Sequence, residues 1–126
     1  MSMPSFSKSP PWLVERFTAV TAQLPDVERR QVFGYPCLFV GGNMATGLHG
    51  AAWFVRLAET DQAELLRLPG AGPFEPMPGR PMGGYAVLPS SVFADDPALR
   101  GWVDRAIAFG RSLPPKAPKA SKLKRH

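Results

Sequence analysis

Glycine-bearing turns cut the most hydrophobic stretch of this chain into short pieces, and their spacing restricts what the stretch can fold into. Residues 32–57 read VFGYPCLFVGGNMATGLHGAAWFVRL. Gly41–Gly42 and His49–Gly50 fall between runs rich in β-branched and aromatic residues, the pattern of tight turns joining antiparallel strands. Strands are predicted over 32–40, 44–49 and 53–57, with Gly34, Tyr35 and Pro36 breaking the alternation of the first as a bulge on an edge or bent strand. Trp53, Val55 and Leu57 share one face of the third strand, and Phe54 and Arg56 the other. A second stretch, PGAGPFEPMPGRPMGGYAVLP over 69–89, is a loop stiffened by the fixed φ of Pro73, Pro76, Pro78 and Pro81. It contains a short edge strand at 74–77 and leads into a strand at 85–88.

Helices frame this β-rich centre. Pro11 suits the first position of a helix over 11–24, in which Leu13, Phe17, Val20 and Leu24 recur at helical spacing before Pro25 stops it. Residues 25–31 read as a charged link. Thr60 is placed as N-cap of a helix reaching Leu68, with Asp61 in the first turn and Pro69–Gly70 ending it. Asp96 and Pro97 open the last helix as N-cap and first-turn proline. Its buried stripe is Leu99, Trp102, Val103, Ala106, Phe109 and Leu113, and Arg100 and Asp104 form an i,i+4 pair outside. The order α-β-β-β-α-β-β-α predicts a two-layer α+β domain: an antiparallel sheet of about five strands with helices packed on one face. The domain is assigned to 10–113, with an extension at 1–9 and a tail at 114–126.

A chain of 126 residues, 44% hydrophobic, can bury a single core without disulfides or a structural metal. No apolar run approaches the roughly 20 residues of a membrane span, and the N-terminus lacks the basic start and apolar core of a secretory signal, so no membrane partner is expected. The lone cysteine, Cys37, fits a reducing cytoplasm. Net charge is +5, from 15 Lys/Arg and 10 Asp/Glu. The surplus is the tail: Lys116, Lys119, Lys122, Lys124 and Arg125 stand there with no acid, and the ten bases before it cancel the ten acids. PPKAPKASKLKRH combines proline with like charges and one sizeable apolar residue, a composition that does not order itself. It reads either as a solubilising terminus, which composition favours, or as an arm that neutralises phosphates on nucleic acid.

The residues that carry chemistry are few and scattered. Cys37 has no CxxC partner and reads as a buried, inert thiol. His49 and His126 are the only histidines, short of the three or four closely spaced ligands of a zinc site. No serine sits in a nucleophile elbow. Gly41-Gly42-Asn43 joins two strands and does not open a helix, which makes it a hairpin turn and not a phosphate cradle. No catalytic residue, cofactor or metal is therefore assigned. The candidate partner-binding element is the stiff loop, where Arg80 offers a planar donor fork between Met77 and Met82, with Tyr85 just beyond.

Taken in order, these short motifs resemble the N-terminal domain of the TfoX/Sxy competence-regulator family. The likeness rests on Phe33, Gly34 and Tyr35; on VGGNM from Val40 to Met44; on FVRL from Phe54 to Leu57; on Pro73 and Phe74; on GRPM from Gly79 to Met82; and on Tyr85, Pro89 and the helix bearing Trp102. Pro36 stands where family members tend to have glycine. The resemblance covers about residues 10–113 and implies a stand-alone bacterial form, without the second, helical domain of the DNA-uptake regulators. The reading is a non-enzymatic interaction or regulatory module resembling that domain, for which a protein partner is expected, a homodimer being one form. The alternatives are a weak nucleic-acid-binding co-regulator acting through the tail, and a small-ligand binder or enzyme using the Arg80 loop.

Overall fold

A computed structural model describes residues 8–77 and 79–115. Helix α1, Pro11–Thr21, starts on Pro11 and buries Leu13, Phe17 and Val20. Strand β1, Glu28–Val32, follows and pairs antiparallel with β2, Tyr35–Val40. This corrects two expectations. The charged link is largely a strand, and the interruption at Gly34–Tyr35–Pro36 is not a bulge but a hairpin: Val32 pairs with Tyr35 across Phe33–Gly34. Residues Glu28 to Gln31 are all exposed, so no apolar alternation marks them, and only pairing with β2 makes them a strand. The irregularity of β2 lies further on, where the register to β3, Asn43–His49, shifts between Leu38 and Phe39.

Strand β4, Ala52–Arg56, completes the predicted meander. Helix α2, Glu59–Leu66, begins one residue before Thr60, and the N-cap position belongs to Ala58, which lacks a capping side chain. The short strand after it is β5, Gly72–Pro73, earlier than the expected 74–77. Strand β6, Tyr85–Val87, lies between β4 and β5. A single-turn helix, α3, Ser90–Phe93, precedes α4, Asp96–Ser112. The α4 cap is Asp95, not Asp96: its carboxylate accepts from the Ala98 N–H at 3.2 Å. Asp96 instead accepts from Arg100 and Arg16, so Arg100 pairs one turn back and not with Asp104.

The six strands form one antiparallel sheet in the order β1-β2-β3-β4-β6-β5, an α+β architecture. One face carries Leu38, Val40, Leu48, Trp53, Val55, Leu57, Ala86 and Leu88 into a single core with α1 and α4. The stripe of α4 includes Leu99, Trp102, Val103, Ala106 and Ile107; Phe109 and Leu113 are only partly buried. Gly110 allows α4 its close approach, since a Cβ there would lie 3.1 Å from the Val40 Cβ. Arg105 lies over the Trp102 ring at 4.4 Å and reaches Asp61 and Glu64, tying α4 to α2.

Candidate functional site

Among the described residues, no helix lies over the opposite face of the sheet. Alternation sends Cys37, Gly47, Phe54 and Tyr85 to that side, and the loop between β5 and β6 folds back across part of it. Phe74, from that loop, stacks on Phe54 with ring centroids 4.2 Å apart and planes 15° from parallel. Tyr85 meets Phe54 edge-on at 5.8 Å and donates its hydroxyl to the Met44 carbonyl at 3.0 Å. His49 lies between Tyr35, at 4.9 Å, and Phe74, at 5.6 Å.

Two backbone bonds shape the loop. The Met82 N–H donates to the Phe74 carbonyl at 2.8 Å and the Arg80 N–H to the Met77 carbonyl at 2.9 Å, which makes Met77 and Arg80 an isolated antiparallel bridge. Between this loop and the β1–β2 hairpin lies an apolar groove of about 640 Å³. Phe74, Pro76, Met77 and Met82 form one wall, and Val32, Phe33 and Tyr35 the other. Cys37, Met44, Leu48, His49 and Phe54 contribute the remaining surface. A cavity of this size and apolar character is of the kind that receives a ligand or the side chains of a partner.

The electrostatics of the floor are those of a dry site. Burial pushes the Cys37 thiol up to about 11, with a backbone hydrogen bond from the Leu48 position acting the other way, so at neutral pH it is a protonated, poorly nucleophilic thiol. Burial also raises the Tyr85 hydroxyl, opposed by the neighbouring Arg56 guanidinium, which lies 5.5 Å from the ring centroid.

Of the residues marked from sequence, Met77 and Met82 line the groove. Arg80 is exposed beside them but is not among the lining residues. Tyr85 is buried in the aromatic cluster behind the wall, where it holds Met44 and does not present itself to a partner. Lys116, Lys119, Lys122, Lys124 and Arg125, with His126, lie outside the described residues, as do Pro78 and residues 1–7. Pro114, however, is described: its carbonyl accepts from Asn43 Nδ2 at 3.0 Å, so the chain leaves the domain beside the β2–β3 turn. Sequence reasoning missed the hairpin wall. Its signal was Phe33–Gly34 itself, a bulky residue and a glycine where the chain reverses.

A second, shallow and open depression of about 620 Å³ is lined by Trp12, Arg16, Phe93 and Asp96, and its charged side chains are engaged with one another. Arg16 donates to the Phe93 carbonyl at 2.9 Å and pairs with Asp96. Among the described residues, no group of three or more His, Cys, Asp or Glu could hold a metal ion, and no helix is long and apolar enough to cross a membrane.

No curated protein and no solved structure matches this chain. The family model for the TfoX N-terminal domain matches residues 19–110, a span that holds the whole sheet, both walls of the groove and nearly all of α4; the chain belongs to the TfoX N-terminal domain family.

Proposed function

We propose that this domain is a non-enzymatic regulatory module that works in the cytoplasm by docking a protein partner, and that the docking element is the groove between the Met77–Met82 loop and the β1–β2 hairpin. One observation carries the reading: two large apolar side chains, Phe33 at 83% and Met77 at 61% exposure, flank an apolar groove on a sheet face that no helix of the described residues covers. Exposed apolar surface gathered in one place marks an interaction site, whereas single exposed residues do not. Methionine suits such a surface because its flexible, polarizable side chain adapts to what it meets. Arg80, beside Met77, supplies a charged donor at the rim. The chemistry of the floor agrees with binding, since the one thiol is held protonated and the one histidine of the described domain packs between aromatic rings.

Capture from native lysate on the full chain tests this. Proteins retained by the wild type are expected to be lost with Met77→Lys, which melts as the wild type does because Met77 is exposed. Equal retention by Met77→Lys and by Arg80→Ala overturns the assignment. Release by removal of residues 116–126 alone places recognition on the basic tail instead, and a small apolar molecule found by mass spectrometry in denatured native protein replaces the protein partner with a ligand.

A further inference from the structure

The chain enters the domain at the rim of the groove. Helix α1 packs on the core face of the sheet, and the residues before it lead to the end of the sheet: Pro10 is extended, with φ −59° and ψ 142°, and the Ser9 hydroxyl donates to the Gly50 carbonyl at 2.7 Å. Gly50 lies in the β3–β4 turn directly after His49, whose ring lines the groove between Tyr35 and Phe74. Residues 1–7, MSMPSFS, precede this anchor. They hold no charged side chain and three large apolar ones, Met1, Met3 and Phe6, and they fall outside the span 19–110 that the family model matches. At up to about 3.3 Å per residue, the chain from Ser9 to Phe6 covers about 10 Å and that from Ser9 to Met3 about 20 Å, lengths that span a cavity of about 640 Å³. The tail at the other end of the chain is a poor match: it leaves beside Asn43, and its five Lys/Arg would lose their hydration in an apolar groove.

Resting on the groove reading above, we propose that the occupant of the groove in the free protein is this chain's own N-terminal segment, with Phe6 against His49 and Met3 beside Met77 and Met82, and that a protein partner gains the site by displacing it. Attachment selects this occupant over a free one. A segment tethered so close to its site meets it at an effective concentration of about 1 mM, so a dissociation constant of only about 0.1 mM keeps the groove about 90% filled. The partner's apparent affinity is then reduced about tenfold, in proportion to the fraction of the groove left open. The chemistry agrees. Phe6 adds an aromatic ring to the rim formed by Tyr35, His49 and Phe74, and Met3 meets methionines, whose flexible side chains adapt to what they touch. Pro4, between Met3 and Phe6, limits the conformational entropy lost on docking.

Proton NOEs in the full chain test the contact, and binding of the dye anilinonaphthalene sulfonate reads how far the groove is open. NOEs are expected from the Phe6 ring to the His49 ring and the Met82 methyl. In a mixture of isotope-labelled and unlabelled chains they should vanish from the filtered spectrum, because they arise within one chain. Phe6→Asp should abolish them and bind the dye about tenfold more tightly than the wild type, whereas Phe6→Leu, still apolar, should stay close to it. Adding Met77→Lys to Phe6→Asp should remove the gain, which places it in the groove. Absence of these NOEs, NOEs only between copies, or a dye affinity indifferent to Phe6→Asp overturns the proposal. Lysate capture separates it from the groove reading. If Met77→Lys loses a captured protein while Phe6→Asp changes neither dye binding nor capture, the groove reading stands and the segment alone is wrong as its occupant. If the NOEs are present but no captured protein is lost on adding Met77→Lys to Phe6→Asp, the segment fills the groove and the docking of a protein partner there is wrong.

Discussion

The indole Nε1 of Trp53 donates to Thr46 Oγ1 at 3.0 Å, and the same hydroxyl donates to the Phe54 carbonyl at 2.7 Å. Thr46 and Trp53 are both fully buried, so one hydroxyl satisfies two polar groups that have no water to turn to. Thr46→Val keeps the shape and removes both bonds. It is expected to lower unfolding stability by about 1–3 kcal/mol, and Thr46→Ser by clearly less, in urea titrations followed by tryptophan fluorescence.

Gly47 is the point of closest approach beneath the groove. A Cβ there would lie 2.5 Å from Cys37 Sγ and 2.8 Å from Phe54 Cζ, closer than packed atoms come. Gly47→Ala should therefore cost about 1–3 kcal/mol by overpacking. Adding Cys37→Ala removes the nearer obstacle and should recover part of the loss, the Phe54 ring accounting for the remainder. A double-mutant cycle in which the two effects simply add would show that the clash is relieved elsewhere.

Alkaline pH should destabilise the fold through Cys37. Its folded value, raised from 9.0 to about 11 by burial, means that above pH 9 the unfolded chain releases a proton that the folded one keeps. Stability is thus complete below pH 9 and falls as pH rises toward 11, at up to about 1.4 kcal/mol per unit. Cys37→Ala should flatten this slope in melting curves between pH 8 and 11. Tyr85, raised in the same direction by burial, leaves a residual slope.

The basic tail should be separable from the fold. A chain ending at Pro115 keeps the Asn43–Pro114 hydrogen bond and is expected to melt as the full chain does; one ending at Leu113 loses that exposed bond, a cost below about 1 kcal/mol. Affinity for a polyanion such as heparin or duplex DNA should drop sharply in the shorter chain and fall steeply with salt in the full one. Unchanged affinity would place the basic surface on the domain.

By itself, the sequence determined the class of fold and most of its elements. Gly41–Gly42 and His49–Gly50 mark real turns, Phe54 and Arg56 do face away from Trp53, Val55 and Leu57, and the helices at both ends follow apolar spacing, α4 stopping just before Pro114 but α1 already at Thr21, short of Leu24 and Pro25. These features are local, because turn chemistry and periodicity are written in neighbouring residues. Tertiary structure alone decided β1, whose exposed Glu28-Arg29-Arg30-Gln31 becomes a strand only by borrowing hydrogen bonds from β2. It decided the capping of α4 as well, since Asp95 and Asp96 are equivalent in composition and only the ion pair to Arg16 from α1 claims the second. The groove belongs to the same kind of decision. Met77 and Met82 were legible from the loop, but the opposing wall comes from residues more than forty positions away in the chain, and its central residue, Phe33, was visible only as a member of a motif until the hairpin turned its ring outward. Cavities form between elements, and no period within one element encodes them.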